Sequence, residues 1–367
     1  MYPKTEYGMI TKYSSSLWNL TDHSRKEGKK DGKYEKLDQC KKGLILLAVA
    51  VLGLTAGCGG DKGSAPAQKD SAKIGVVQLV THDALDAANK GFIDALAANG
   101  YKEGQNLEVD QQNAQADQSN LQTIAQRFVN NKVDLICAIA TPAAQTVANA
   151  TKTIPILGTA ITDYKEAKLV KDNAKPGTNV SGTTDMNPID KQVDLLKTLL
   201  PKAKTVGVMY CSSEVNSQLQ VSIMKKIAGE KGLTVKEATV TNVNDIQQAA
   251  QGLVAQGVDV IYIPTDNVMA SAVPVLTKVT NAAKIPVIAG EPGEVRKGAL
   301  ATIGIDYYKL GYQTGLMAVK VLRGEAKPQD MPIETQKDVK ATVNDTAAKL
   351  LGITIPESIR NGADVVQ

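Results

Sequence analysis

Histidine is almost missing from this chain: two residues in 367, His23 and His82. A metal centre built on imidazoles needs two or more of them clustered. The body holds one, His82, so a histidine-built metal centre is excluded, and no metal or cofactor is expected. Cysteine is scarce as well, at four residues. Cys40 and Cys58 flank an apolar N-terminal run, which leaves Cys137 and Cys211 in the body, too few for a disulfide framework. Cys137 lies in an apolar run and reads as a small core residue, whereas Cys211 closes such a run and is expected to be more exposed. No Gly-x-Ser-x-Gly elbow and no phosphate-binding Gly-Lys-Ser/Thr loop occurs. With no credible nucleophile–base pair, an enzyme is not expected. Tryptophan occurs once, at Trp18.

A charge surplus is missing from the body too. Residues 1–57 hold ten Lys/Arg and six Asp/Glu, while the whole chain holds 42 and 38. The remainder carries 32 of each and is neutral. The basic excess thus belongs to the N-terminal segment and gives no footprint for nucleic acid, which is not expected as a partner.

Only one stretch is apolar for more than a few residues. Gly43–Leu54 (GLILLAVAVLGL) follows Lys41-Lys42 and runs into Thr55-Ala56-Gly57-Cys58. A basic flank, an apolar stretch of about 7–15 residues and a small-residue exit make a secretion signal, and the run is short for a membrane span. The cysteine after Thr-Ala-Gly resembles a bacterial lipobox. Cys58 is therefore expected to be lipidated and to become the mature N-terminus, anchoring an extracytoplasmic protein to the cell membrane. The segment before the basic flank is long for such a signal, which suggests translation starting near Leu37. Residues 1–57 then form leader and signal, and 58–72, small and polar, a flexible tether.

The body is organised by one pattern that occurs twice. Val133–Leu157 (VDLICAIATPAAQTVANATKTIPIL) and Val258–Ala289 (VDVIYIPTDNVMASAVPVLTKVTNAAKIPVIA) each begin Val-Asp and enter a short apolar strand. Each turns at a polar corner, Ala140-Thr141-Pro142 or Thr265-Asp266-Asn267, continues as a helix and ends in a strand opening with Ile-Pro. That order is the βαβ signal. Strands over 73–79, 107–111, 135–139 and 156–158 alternate with helices over 89–99 and after Ser119. A strand over 179–183 leads into a second half. There, helices over 189–200, 217–230 and 244–256 alternate with strands over 205–210, 233–239 and 259–263. A strand over 301–305 and a helix over 307–322 follow, and the last forty residues give two short strands and a small helix at 346–351. The expectation is α/β architecture: two lobes with mainly parallel sheets. Lobe one comprises 73–181 plus 303–330, and lobe two 182–302 plus 331–367.

In such units ligands bind beyond the carboxyl ends of strands, where helix N-termini offer free N–H groups. Polar residues recur there: Gln78, His82 and Asp86; Thr141; Thr162 and Asp163; Glu214 and Asn216; Asp266 and Asn267; Glu291; Asp306 and Tyr307. Hydroxyls and N–H groups suit a carboxylate, and Asp266, Glu291 and Asp306 suit an ammonium. An α-amino acid satisfies both. Tyr210, Tyr307 and Tyr308 are candidates for stacking on a ring.

Several motifs in order carry a resemblance: His82-Asp-Ala-Leu-Asp86, Asn113-Ala-Gln115, Ile139-Ala-Thr-Pro-Ala-Ala-Gln145, Glu214-Val-Asn216, Pro264-Thr-Asp-Asn267 and Gly304-Ile-Asp-Tyr-Tyr308. They are similar to ABC-transporter substrate-binding lipoproteins associated with tryptophan and tyrosine uptake, over about Lys73 to Pro356. Two places depart from that pattern. Asp83 stands where the family often has Pro, and Tyr164 follows Thr162-Asp163 where Pro is usual. The resemblance implies a type I periplasmic-binding-protein fold, with two Rossmann-like lobes joined by a three-strand hinge and a ligand in the cleft. It implies a non-catalytic, monomeric receptor that hands a small ligand, an aromatic amino acid, to an ABC permease with its cytoplasmic ATPase. The same fold also serves sensory binding proteins, receptors for branched-chain amino acids and sugar-responsive repressor cores. The last of these is disfavoured by the absence of a helix-turn-helix. The resemblance puts Thr141, Pro142, Glu214, Asn216, Asp266, Asn267, Asp306 and Tyr307 at the ligand, and the strand-end positions add His82, Thr162, Asp163 and Glu291.

Overall fold

The computed structural model describes residues 71–367, so the leader, Cys58 and nearly all of the expected tether lie outside the described residues. Ala72 already belongs to the first strand rather than to the tether. The first half runs β1 (Ala72–Gln78), α1 (Asp83–Ala98), β2 (Leu107–Asn113), α2 (Gln118–Asn130), β3 (Leu135–Ile139), α3 (Thr141–Ala150), β4 (Ile156–Ile161) and β5 (Val180–Thr184). The second begins α4 (Ile189–Leu199), β6 (Thr205–Cys211), α5 (Val215–Glu230), β7 (Thr234–Val240), α6 (Ile246–Ala255) and β8 (Val260–Tyr262). It continues α7 (Asn267–Ser271), α8 (Val273–Ala282), β9 (Val287–Ile288), α9 (Pro292–Arg296) and β10 (Ala301–Gly304). The chain returns through α10 (Tyr307–Leu322) and β11 (Glu334–Thr335), then ends in β12 (Lys340–Asn344), α11 (Asp345–Leu351), α12 (Glu357–Arg360) and β13 (Asp364–Val366).

Burial explains which strands sit where. Every residue of β3 and β4 is buried, as expected of central strands covered on both faces. The edge strands β2 and β7 alternate toward solvent instead. The first sheet has the order β11-β5-β4-β3-β1-β2 with all neighbours parallel. The second has β13-β12-β10-β9-β8-β6-β7, antiparallel only between β10 and β12. This is the two-lobed type I periplasmic-binding-protein fold.

The chain passes between sheets three times: between β5 and α4, between β10 and α10, and between β11 and β12. Side chains lock the passes together. Asn187 accepts from Ile305 N–H at 3.0 Å, while Gln336 accepts from Asp306 N–H at 3.1 Å and donates to its carbonyl at 2.7 Å. These pairings move the lobe borders expected from sequence. β5 keeps residues up to Thr184 in the first sheet. β10 extends the second sheet to Gly304, and β11 pairs with β5, so Glu334 and Thr335 lie in lobe one rather than lobe two.

Other boundaries differ for local reasons. α1 starts at Asp83 rather than Asn89, because its first turn is rich in Ala and Asp and shows little apolar period. α2 is capped by Asp117, which accepts from Asn120 N–H, rather than by Ser119. The helix expected after Asp266-Asn267 splits at Ala272, since Pro274 in the first turn of α8 cannot continue the α7 ladder. α9 was not expected; Glu291 and Glu294 form a capping box that starts it. Among the described residues no helix is long and apolar enough to cross a membrane.

Candidate functional site

In each lobe the first five strands have the doubly wound order 2-1-3-4-5, with the switch point between the first and third. The residues after those strands meet across the lobes. His82 follows β1, Asn216 lies in the first turn after β6, and Asp266 and Asn267 follow β8. They enclose a small cavity of about 20 Å³, room for about one water, lined by His82, Thr162, Asp185, Asn216, Thr265, Asp266, Asn267, Glu291 and Tyr307, with the small apolar Ala84, Leu85, Ala160 and Ala270. Ala160 at the cavity and Ala140 next to Thr141 adopt positive φ, 55° and 86°. Strain of this kind in non-glycine residues collects at functional sites.

The cavity is rich in acceptors and short of donors. Asn267 donates to the Glu214 carboxylate at 2.6 Å, which aims its Oδ1 at His82 Nε2, 3.3 Å away. The imidazole is then the Nε2–H tautomer, and its buried Nδ1 is an acceptor without a protein partner. Asn216 spends its amide N–H groups on Glu214 and the Thr265 carbonyl, which leaves its buried Oδ1 without a partner. No Lys or Arg lines the cavity. Burial lowers the His82 pKa, which keeps the ring neutral.

Three carboxylates complete the wall, each raised by burial: Asp185 to about 6, Glu291 to about 7, and Asp266 in the same direction. Asp266 is already well bonded. It caps α7 through Met269 N–H at 2.9 Å and accepts from Cys211 N–H and Ser217 Oγ at 2.7 Å each. Glu291 is occupied by the N–H groups of Gly293 and Glu294. Asp185 accepts from the Thr162 and Tyr307 hydroxyls, each at 3.0 Å, and keeps room for further donors. Helix α1 starts at the cavity wall with Ala84 and Leu85 in its first turn. Its N-cap side chain makes no capping bond, so first-turn N–H groups are open to an acceptor, with the Asp83 and Asp86 carboxylates in the same turn.

The lobes touch through polar bonds. Besides His82–Asn267, Gln220 on α5 donates to Thr162 at 3.0 Å, and Lys297 pairs with Asp83 at 3.2 Å. A family model described as ABC transporter substrate binding protein matches residues 73–367. This chain belongs to that family. It is 47% identical over 320 residues to a tyrosine-binding protein of Clostridioides difficile (strain R20291), covering 85% of this chain and 92% of that one. A solved ABC domain from Streptococcus pneumonia in complex with L-Trp superposes with TM-score 0.78 at 43% identity, over 81% of this chain and all of that one. A ligand-free, open substrate-binding protein with adhesive properties from Clostridium difficile is 50% identical but superposes with TM-score 0.63, over 81% of this chain and 99% of that one. The more similar sequence thus matches less well in its open form. Together with the cross-lobe bonds, this marks the present arrangement of the substrate-binding protein as closed.

Seven residues singled out from sequence line the cavity: His82, Thr162, Asn216, Asp266, Asn267, Glu291 and Tyr307. Asp163 and Asp306 do not. Asp163 turns back to cap Glu166 N–H, and Asp306, exposed, caps Lys309 N–H at the start of α10. Pro142 and Glu214 face an open groove beside the cavity, which they share with Gln145 and Asn267. Burial, with the nearby Asp266 charge, raises Glu214 to about 8. Thr141 lines neither space, although its buried hydroxyl has no protein partner. Of the ring candidates, Tyr307 lines the cavity, whereas Tyr210 and Tyr308 point outward to Glu237 and Asp94. Cys211 is buried and free rather than exposed, as is Cys137. Asp83 supplies the cross-lobe pair with Lys297, and Tyr164 is core, donating to the Gly158 and Thr183 carbonyls. The sequence reading missed Asp185 and Gln220. A polar residue after a parallel strand signalled the first. The polar stripe Asn216, Ser217 and Gln220 on the buried face of α5 signalled the second.

Proposed function

We propose that this substrate-binding protein carries an aromatic amino acid, tyrosine or tryptophan, in the cleft between its lobes, which part around the small cavity to admit it. It acts as the extracytoplasmic receptor of an ABC importer, anchored through lipid at Cys58. The observation that carries the ligand class is the acceptor-rich wall: three carboxylates, His82 Nδ1 and Asn216 Oδ1, with no cation among them. An ammonium supplies the missing donors and charge. The free N–H groups opening α1 take the ligand carboxylate. The names of the relatives favour an aromatic side chain.

In this reading Asp185, His82 and Asn216 hold the ammonium, and Tyr307 and the small apolar residues surround the ring. The ligand bridges residues of both lobes, so it binds the closed form more tightly and shifts the population toward it. A permease with its ATPase recognises that form, the receptor acts as a monomer, and no step is catalytic.

The test follows from composition. Trp18 precedes Cys58, so the processed chain has no tryptophan of its own. Titration with L-tryptophan is expected to give a saturable blue shift and enhancement of ligand fluorescence at micromolar concentration, displaced by L-tyrosine. No spectral change, together with no heat from tyrosine or phenylalanine in calorimetry, overturns the aromatic assignment.

A further inference from the structure

One buried bond that crosses the lobes involves a residue that does not line the cavity. Gln220 sits on α5 in lobe two and is fully buried. Its carboxamide is set within its own lobe, where Oε1 accepts from Thr265 N–H at 3.2 Å and one N–H donates to Thr265 Oγ1. Its other N–H donates across the cleft to Thr162 Oγ1 at 3.0 Å. Thr162 has a single hydroxyl proton, and that proton goes to Asp185 Oδ1 at 3.0 Å. Tyr307, just past the second inter-lobe pass, donates to the other oxygen of Asp185. A chain of bonds therefore runs from lobe two through Thr162 to Asp185 in the first pass.

We propose that Gln220 is the positioning residue that couples lobe closure to the ligand-holding carboxylate. This rests on the reading that Asp185 receives a ligand ammonium. Both bonds to Thr265 lie within lobe two and persist when the lobes part, so the carboxamide is oriented before closure. As the lobes meet, it occupies the acceptor side of the Thr162 hydroxyl. The hydroxyl proton is then directed at Asp185, and the carboxylate is fixed where the cleft closes. Such networks exceed the sum of their pairs. The rim pair Asp83–Lys297 is half-exposed, and pairs of that kind contribute little.

A double-mutant cycle tests this with Gln220→Met and Thr162→Val, which keep volume and remove the bond from either end. Each single variant is expected to weaken L-tyrosine binding about 30-fold and the double variant by nearly the same factor, since both break one link. A purely structural Gln220, acting only through Thr265, gives additive losses instead, and that result overturns the proposal. A second readout does not depend on the ligand. Gln126→Cys and Gln251→Cys place dyes on exposed positions of the two lobes, while Cys137 and Cys211 stay buried. Energy transfer in the ligand-free protein is expected to show a smaller closed fraction in both single variants and no further loss in the double. An unchanged closed fraction also overturns the proposal. A wild-type protein that closes but binds no amino acid would instead refute the ligand assignment alone.

Discussion

Asp185→Asn is expected to weaken amino-acid binding by at least about 100-fold, roughly 2.7 kcal/mol. The variant keeps the shape and one of the two acceptor oxygens, which take the Thr162 and Tyr307 hydroxyls separately at 3.0 Å each. It removes the negative charge facing the ligand. An ammonium left unpaired in a desolvated site costs about 2–5 kcal/mol. Asp266 and Glu291 cannot substitute, because their oxygens are committed to the first turns of α7 and α9. The same variant has a stability signature. Burial raises Asp185 to about 6, above its unfolded value. The native state therefore binds more protons than the unfolded state, and stability falls as pH rises from about 4 through 6. Asp185→Asn should flatten that part of the ligand-free stability curve. Calorimetric titration and thermal unfolding across pH check both halves. Unchanged affinity would mean that Asp185 serves only the hinge.

The largest effect on stability is expected at the contact of α1 with α10. A Cβ added to Gly311 would lie 1.8 Å from the Ala88 carbonyl oxygen and 2.5 Å from its carbon. Both are backbone atoms, so no side chain can swing away and the helices must separate. Overpacking a core costs about 1–3 kcal/mol where side chains can shift. Gly311→Ala should exceed that range and lower Tm by about 8 °C or more, at roughly 2–4 °C per kcal/mol for a protein of this size. Gly229→Ala is the control. Its Cβ would meet nothing within 4 Å near the end of α5, and helix propensity predicts a gain of about 0.5–1 kcal/mol. Equal melting temperatures in the two variants would contradict the packing account.

The architecture was readable because the chain states it twice. Buried apolar runs such as Leu135–Ile139 and Val260–Tyr262, each followed by a polar corner and a helix, can form little besides parallel strands with helical crossovers. The cavity wall was half readable for the same reason: polar residues after strands have one place to go. What the pattern could not separate is a carboxylate that faces a ligand from one that caps its own helix. Asp163 and Asp306 occupy positions in sequence equivalent to that of Asp266, yet turn to Glu166 and Lys309. Asp185 was missed because Thr184-Asp185-Met186-Asn187 looks like a link between lobes, and the link is itself part of the site. Gln220 reaches Thr162 across 58 positions of sequence, a contact set by lobe closure rather than by any local preference. α9 escaped because five residues are too short for a period, and its capping box lay within Gly290-Glu-Pro-Gly293, which reads as a turn.

The most direct test of an ammonium-holding cavity compares L-tyrosine with 3-(4-hydroxyphenyl)propionate, which lacks only the amino group, by calorimetry from pH 5.5 to 7.5. Ligand ammonium favours the ionised forms of Asp185 and Glu291, whose values lie at about 6 and 7. Binding then releases protons, and affinity rises with pH over that window. The account predicts tyrosine binding that tightens toward pH 7.5 and an analogue at least about 100-fold weaker with little such pH dependence. Equal affinities for the two ligands, or tyrosine binding that weakens as pH rises, would contradict it.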